Sequence, residues 1–159
     1  MVGKTAKESY TEQCHIVFSQ HKNGTGRLFG GQLIAWMDVV AAVVARRHSG
    51  REVTTASIDK IDFAQPAFEN DIVIITGKLV YVGNSSMHIK VTAFIEQDKK
   101  RIMTNDANFV MVAIDEDNNP VKVAPLIVNT DEERQEYQKC HAKRKQFFTG
   151  IKIFKLTPK

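Results

Sequence analysis

Asp38 is the one acid in the long apolar segment between Gly31 and Arg46. On a helix, its neighbours three and four residues away would all be apolar: Ile34, Ala35, Ala41 and Ala42. A carboxylate in such surroundings either finds hydrogen-bond donors or has its pKa raised toward the range of a general base. The sequence therefore leaves two roles open for Asp38, a catalytic acid-base group or a structural aspartate that binds a loop amide.

Two glycines precede this segment and predict a site for a negative charge. Gly30 and Gly31 stand where the helix would begin, so their unpaired amides would carry the positive end of its dipole. Glycine also lets a ligand approach the backbone closely, and two such amides could form an oxyanion hole. Asn23, seven residues before Gly30, could direct its side-chain amide into the same cleft, or could serve only as a turn residue beside Gly24.

The spacing between these groups predicts a site shared by two subunits. Asp38 follows Gly31 by seven residues, which is close to two helical turns and about 10 Å along the axis. That separation is too large for both groups to act on one reacting carbon. We therefore expect Asp38 to face the glycine loop of a second subunit, with the helices side by side and two sites per dimer.

Hydrophobic periodicity predicts the elements that would position these residues. A segment free of proline and rich in Ala, Leu and Val indicates one long helix over residues 31–48, buried on nearly all sides. Segments rich in β-branched and aromatic residues predict five strands, at 10–18, 53–63, 71–82, 86–96 and 101–114. Thr130 and Glu133 form a capping-box pattern, so a second, exposed helix is expected over about 130–148.

These elements indicate the α+β class, with an antiparallel sheet of about five strands wrapped around one long helix. One helix covers such a sheet incompletely. The last strands also carry apolar residues on both faces: Phe109, Val110, Met111 and Val112. We therefore expect two subunits to pair sheet edge to sheet edge, with a homodimer as the smallest assembly.

Composition narrows the class of protein. The 159 residues are 43% hydrophobic, which is enough for a single core. No apolar run is long enough to cross a bilayer, and the first residues lack the apolar centre of a signal peptide, so a soluble, cytoplasmic protein without membrane binding is expected. The two cysteines, Cys14 and Cys140, predict neither a disulfide framework nor a metal site.

The net charge of +4 is modest, and the basic residues cluster at 99–101 and at 139–145. Such clusters suit phosphate-bearing ligands without requiring them. Nucleic-acid binding is not expected, because the basic residues have few aromatic platforms among them beyond Tyr137, Phe147 and Phe148.

The loop and helix together carry the pattern N-x-x-G-x-x-F-G-G-x(5)-M-D. Its fixed positions are Asn23, Gly26, Phe29, Gly30, Gly31, Met37 and Asp38. This pattern resembles that of the hotdog-fold acyl-CoA thioesterases, and the resemblance extends through VYVGNSSMHIKV to about residue 148. It implies a hotdog domain over residues 8–125 with a C-terminal helical extension over 126–159. It is similar to the bacterial, cytosolic branch with one hotdog domain.

The resemblance implies hydrolysis of a fatty acyl-CoA to the free acid and coenzyme A. The site would lie at a dimer interface, often within a trimer of dimers, that is, a homohexamer. No separate cofactor is implied, because coenzyme A is part of the substrate and then a product. Asn23 and Asp38 fall on the family's catalytic pair, with Asp38 as base or nucleophile, and Gly30 and Gly31 fall on its oxyanion amides.

The resemblance also implies residues for binding coenzyme A. In the family a turn contacts the coenzyme, and the matching residues are Gly83, Asn84, Ser85 and Ser86. Arg144 of the C-terminal helix could reach the nucleotide. Some relatives place a catalytic Ser or Thr on the strand after the helix, where this sequence offers Thr54 or Thr55. A hairpin turn and a basic helix end explain the turn and Arg144 equally well.

Two other functions compete with hydrolysis. An acyl-thioester dehydratase of the same fold would use a histidine with an acid, but position 23 holds asparagine. The five histidines lie outside the glycine loop and are expected at surface or strand positions: His15, His21, His48, His88 and His141. A non-catalytic acyl-CoA sensor is the second alternative, although a binding pocket has little reason to keep an acid such as Asp38 beside a thioester.

Overall fold

A computed structural model describes residues 1–59 and 61–148, and leaves the side chains of 144–148 outside that description. In chain order the elements are β1 (Lys4–Thr5), α1 (Ala6–Ser9), β2 (Thr11–Ile16), a 3₁₀ turn (Ser19–His21), α2 (Gly30–Ser49), β3 (Glu52–Ile58), β4 (Ile72–Val82), β5 (Ser86–Gln97), β6 (Lys100–Ile114), β7 (Leu126–Ile127) and α3 (Asp131–Phe148).

Helix α2 packs on the sheet with one face buried and another exposed. Its buried residues recur every three or four positions: Leu33, Met37, Val40, Ala41, Val44, Ala45 and His48. A second stripe, formed by Gly31, Ala35 and Val39, is exposed in the single subunit. The expectation that this helix is buried on nearly all sides is therefore wrong for one chain, because an apolar stripe stays uncovered.

The five-stranded sheet is antiparallel and has the order β2-β4-β5-β6-β3. β4 and β5 form the predicted hairpin, in which Val82 pairs with Met87 across the turn. Register shifts interrupt three of the pairings, in β3 at Thr55/Ser57, in β4 at Leu79/Tyr81 and in β6 opposite Ala93/Phe94. Such irregularities increase the local twist and help the sheet curve around α2.

Helix and sheet approach each other closely at Gly77 of β4. A Cβ atom there would lie 2.7 Å from Cγ1 of Val40 and 2.9 Å from Cγ2 of Val44. A residue without a side chain therefore lets the helix lie directly on this strand. The contact fixes the helix axis against the sheet, and with it the direction in which Asp38 points.

The β1–β7 pairing and α3 complete the fold around this body. β1 pairs in parallel with β7, and Lys4 donates from Nζ to the carbonyl of His48 at 2.8 Å, which satisfies part of the C-terminal end of α2. Helix α3 lies against β4, where the ring centroids of Tyr137 and Tyr81 are 4.8 Å apart.

The predicted elements are confirmed, with changes at their ends. The strand expected at 53–63 stops at Ile58, and β1, α1 and β7 were not predicted because such short segments show no period. Thr130 accepts a hydrogen bond from the amide of Glu133 at 3.1 Å, as its capping pattern predicted. In the described ranges no helix is both long enough and apolar enough to cross a membrane.

The strand with apolar residues on both faces does not lie at an edge of the sheet. β6 is between β5 and β3, so Phe109 and Met111 face the core while Val110 and Val112 are half-buried on the other face. Among the described strands, β2 and β3 are the two free edges of this sheet. The expectation that the last strands form the pairing edge is therefore wrong, and edge-to-edge pairing of two subunits would have to use β2 or β3.

Candidate active site

Helix α2 begins without a side-chain cap, which leaves its first amides free for a ligand. Phe29 is the N-cap residue, and its carbonyl accepts the amides of Gln32 at 3.0 Å and Leu33 at 3.1 Å. Among the described residues, the amides of Gly30 and Gly31 have no acceptor. Two possible oxyanion donors therefore lie at the positive end of a helix of 20 residues.

Two aromatic rings lie against these glycines. A Cβ at Gly31 would be 2.5 Å from Cε1 of Phe29, and a Cβ at Gly30 would be 3.1 Å from Cζ of Phe63. Each ring is 56% exposed, so the two rings form apolar walls beside the amides. The sequence offered no clear signal for Phe63, because one aromatic residue in a loop is common.

Asn23 closes the loop that leads into α2. Its Oδ1 accepts three hydrogen bonds, from the amide and the hydroxyl of Thr25 at 3.0 and 2.8 Å and from the amide of Arg27 at 3.1 Å. Gly26, at φ 78°, supplies the left-handed conformation of this turn. The Nδ2 group has no acceptor among the described residues, so Asn23 is both a turn residue and an available donor.

Asn23 and Gly30 line the same pocket, which has a volume of about 410 Å³. Its walls are mostly apolar, with Leu28, Leu33 and Phe63 among them. Its size is within the range of about 300–1,000 Å³ that is common for ligand pockets. One subunit thus brings Asn23 and the helix amides together, and we call Asn23, Gly30 and Gly31 the donor half-site.

Asp38 lies outside that pocket, where α2 meets β3. The hydroxyl of Thr55 donates to Oδ1 of Asp38 at 2.7 Å and lies 3.3 Å from Sδ of Met111. Thr54 faces the other side of the strand, because successive side chains alternate. Asp38 is half-buried, so its apolar helical neighbours do not enclose it. Thr55 is therefore the threonine that reaches the acid, and we call Asp38 and Thr55 the acid half-site.

The two half-sites do not meet within one subunit. Asp38 does not line the pocket that holds Asn23 and Gly30, and the helix rise keeps it about 10 Å along the axis from the helix start. The acid half-site instead lies beside the free edge of β3 and the uncovered stripe of α2.

The turn between β4 and β5 holds the residues that were matched to coenzyme A binding. The amide of Gly83 donates to the carbonyl of Ser86 at 2.7 Å, and the carbonyls of Asn84 and Ser85 accept amides from elsewhere in the chain. The Asn84 side chain is exposed, whereas the Ser86 hydroxyl is buried and has no partner among the described residues. The side chain of Arg144 lies outside the described part of the structure.

His48 is neither at the surface nor on a strand, and the expectation for it was wrong. This helical residue is 1% exposed, and its Nε2 lies 2.8 Å from the carbonyl oxygen of Ala124. Burial lowers the pKa of His48, against the opposing effect of the Ala124 hydrogen bond. His48 therefore serves the core rather than the reaction.

Comparison with known proteins identifies the family. The thioesterase superfamily model matches residues 25–102, which include Asp38 and the start of α2. The uncharacterized acyl-CoA thioester hydrolase YkhA of Bacillus subtilis is 34% identical over 133 residues, covering 80% of this chain and 75% of that protein. The chain belongs to the acyl-CoA thioester hydrolase family.

Solved structures of this family share the fold. An apo-hexameric acyl-CoA thioesterase has a TM-score of 0.87 at 28% identity, over 96% of this chain and 100% of its own. The acyl-CoA hydrolase of Staphylococcus aureus, solved with butyryl coenzyme A, coenzyme A and coenzyme A disulfide, has a TM-score of 0.84 at 30% identity, over 92% of this chain and 90% of its own. The α+β hotdog fold is confirmed.

The Staphylococcus aureus enzyme has also been solved with alanine in place of an aspartate, an asparagine or a threonine. In that protein the asparagine precedes the aspartate by 15 residues, and the threonine follows it by 17. Asn23, Asp38 and Thr55 have the same two spacings in this acyl-CoA thioester hydrolase family member.

Proposed function

We propose that this protein hydrolyses acyl-CoA thioesters, fatty acyl-CoA among them, to the free acid and coenzyme A. The observation that carries the proposal is the pair of half-sites: uncapped amides beside the free Nδ2 of Asn23, and the Asp38 carboxylate held by Thr55. Membership of a family of thioester hydrolases supports the reaction class.

In this proposal each catalytic centre lies between two subunits. The uncovered stripe of α2 and the free edge of β3 surround Asp38, and a partner with the same surface would cover both. A two-fold arrangement would then bring Asp38 to the partner's Gly30 and form two centres per dimer. The hexameric state of a structural neighbour supports a trimer of such dimers.

As a general base, Asp38 would take a proton from water, and the water oxygen would bond to the thioester carbonyl carbon. The amides of Gly30 and Gly31 would donate to the carbonyl oxygen and stabilise its developing charge. Collapse of the tetrahedral intermediate would break the C–S bond. The coenzyme A thiolate would leave and take the proton from Asp38, which regenerates the carboxylate.

As a nucleophile, Asp38 would instead bond to the carbonyl carbon and expel the thiolate, and water would then hydrolyse the mixed anhydride. Thr55 donates to Oδ1, and Oδ2 has no donor among the described residues, so one oxygen is free for either route. Rapid quench and mass spectrometry separate the routes, because only the nucleophilic route acylates Asp38.

Asn23 is proposed to donate from Nδ2 to the water or to the thioester, since its Oδ1 is bonded within the loop. The matching spacings in the Staphylococcus aureus enzyme support a role for Asn23, Asp38 and Thr55. We also propose that the turn Gly83, Asn84, Ser85 and Ser86 contacts coenzyme A chiefly through the exposed Asn84, with Arg144 near the nucleotide. No other cofactor takes part in this proposal.

Thiol release from a panel of acyl-CoAs tests the function. We expect turnover by the wild type and a loss of about 10²–10⁴-fold in kcat for Asp38→Asn, because an amide neither accepts the proton nor attacks the thioester. Glu116→Gln, which changes an exposed acid away from both half-sites, should keep full activity. Binding of acyl-CoA without turnover would favour the sensor instead, and full activity in Asp38→Asn would remove Asp38 from the mechanism.

A further inference from the structure

Three rings join the segments that carry the donor half-site. His15 of β2 stacks on Trp36 of α2, with ring centroids 4.2 Å apart and 4° between the ring planes. His21 of the 3₁₀ turn meets the same indole edge-on, at 5.0 Å and 85°. We call these three residues the histidine cluster. Trp36 is the single tryptophan of the chain.

His21 contacts both sides of the loop that contains Asn23, on one side through its ring and on the other through its main-chain carbonyl. Its Nδ1 accepts the amide of Phe18 at 3.1 Å, and its carbonyl accepts the amide of Phe29 at 2.8 Å. Phe29 is the N-cap residue directly before Gly30. A nitrogen that accepts a hydrogen bond carries no proton, so this geometry requires neutral His21 with its proton on Nε2.

A proton on Nδ1 of His21 would remove its hydrogen bond with the amide of Phe18. Both groups would then be donors and would repel each other. Neither imidazole forms an ion pair with a carboxylate among the described residues. The ring of His15 stacks on Trp36, and its Nε2 is buried without a hydrogen-bond partner among the described residues. Burial is the main cause that lowers the pKa of His15, and the nearby His21 lowers this pKa further.

Three charged groups on the neighbouring elements are bonded to partners of their own. Lys22, next to His21, pairs with Glu69. Asp71, which precedes β4, accepts the amide of Phe68 at 2.7 Å. On α2, Asp38 accepts the Thr55 hydroxyl. Each of these three groups therefore has a partner outside the histidine cluster.

We propose that His21 is a positioning residue for the donor half-site, and that its protonation releases the loop that holds Asn23 and the start of α2. This inference rests on the proposed function for its effect on activity, but the movement itself does not. If protonation of this ring releases the loop, acidification should lower kcat while the protein stays folded.

Two substitutions separate the effect of losing the hydrogen-bond acceptor from the effect of losing the ionisable ring. His21→Asn keeps a side-chain acceptor within reach of the Phe18 amide and removes the ionisable ring. His21→Leu removes the acceptor. We expect His21→Asn to keep most of the activity at neutral pH and to lose the acid step, whereas His21→Leu should lose about tenfold or more in kcat at every pH. His15→Phe is the matched control, because it keeps a ring on Trp36 and leaves His21 in place.

Trp36 reports on the cluster without any assay of activity. Labelling with 5-fluorotryptophan gives one ¹⁹F signal, since the chain has a single tryptophan. We expect the pH midpoint of this signal in the intact oligomer to coincide with the acid step in kcat, and the titration to persist in His15→Phe and to disappear in His21→Asn.

An acid step that persists unchanged in a folded His21→Asn variant would overturn the inference, and so would full activity in His21→Leu. If His21→Asn fails to fold, the wild-type protein still tests the inference. The pH midpoint of its ¹⁹F signal should equal the pH midpoint of its kcat, and different midpoints would reject the inference. If no acyl-CoA is hydrolysed at any pH, the proposed function fails. The ¹⁹F signal still tests the inference in that case. A pH titration of this signal that depends on His21 would support the inference, and the absence of such a titration would reject it.

Discussion

At the scale of single residues, the candidate site holds each polar group by one atom and leaves another atom free. Asn23 bonds through Oδ1 and keeps Nδ2 available, and Asp38 accepts from Thr55 at Oδ1 and keeps Oδ2 available. A group fixed in this way loses less conformational freedom when it meets a substrate, so it can be oriented in advance of the reaction.

Replacement of Thr55 by valine tests that orientation. The variant keeps the shape of the side chain and removes its donor, and a hydrogen bond to a charged group is worth about 1.5–3 kcal/mol. We therefore expect kcat for acyl-CoA hydrolysis to fall roughly ten- to a hundredfold, with stability little changed. Thr55→Ser should retain activity, and Thr54→Val, on the other face of β3, should resemble the wild type. Equal loss in Thr54→Val would point to damage to the strand instead.

At the scale of elements, the packing of α2 on the sheet decides where both half-sites point. Gly77 lets the helix lie against β4, and the cap that Lys4 provides and the buried His48 hold its C-terminal end. The N-terminal end is left without a side-chain cap. Packing and capping thus stabilise one end of the helix, while the other end keeps donors for a ligand.

Gly77→Ala should destabilise the protein because a Cβ would lie under 3 Å from two valine methyl groups, at 2.7 and 2.9 Å. Overpacking of a buried contact costs about 1–3 kcal/mol. Urea unfolding at fixed protein concentration measures the change. Gly24→Ala is the matched control, because its Cβ would meet nothing within 4 Å, and its midpoint should move little. Equal midpoints for the two variants would contradict the close approach of helix and strand.

Acid should also weaken the core around His48. Burial places the pKa of folded His48 below its usual value of 6.5, so below that pH the unfolded chain binds more protons. Stability is therefore fully present above about pH 6.5 and declines as the pH falls through and below that value. Thermal unfolding between pH 7.5 and 5 should show this decline, and His48→Gln, which does not titrate, should reduce its slope. An unchanged slope would assign the decline to other groups.

At the scale of the whole molecule, the described chain holds Asp38 outside the pocket that Asn23 and Gly30 line. The apolar stripe of α2 and the unpaired edge of β3 are exposed beside the acid half-site. Exposed apolar surface of this kind commonly marks an interface. In the proposed assembly, the same contact that buries this surface would complete the catalytic centre.

Mixing two inactive variants tests the shared centre. Asp38→Asn destroys the acid half-site and Asn23→Ala damages the donor half-site, so a hybrid dimer would contain one centre with both halves intact. Co-refolding or co-expression of equal amounts should restore roughly a quarter of wild-type activity, since half of the dimers are hybrids with one of two centres active. Mixtures that stay as inactive as the parent variants would place both half-sites in one subunit.

The sequence by itself determined the long elements and the position of two glycines at the start of the central helix. Strands β2 to β6 and the helices α2 and α3 follow local hydrophobic periods and capping signals, which depend on near neighbours in the chain. Gly30 and Gly31 were predicted at the helix start for the same reason. The separation between Asp38 and Gly31 followed from the rise of a helix alone.

Only the tertiary structure decided which residues meet across elements. The choice of Thr55 over Thr54, the ring of Phe63 beside Gly30, and the stacking of His15 on Trp36 all join segments that are distant in sequence. The sheet order, which places β6 inside and β3 at the edge, is another such result. These contacts depend on how the sheet curves around α2, and periodicity along the chain does not contain that curvature.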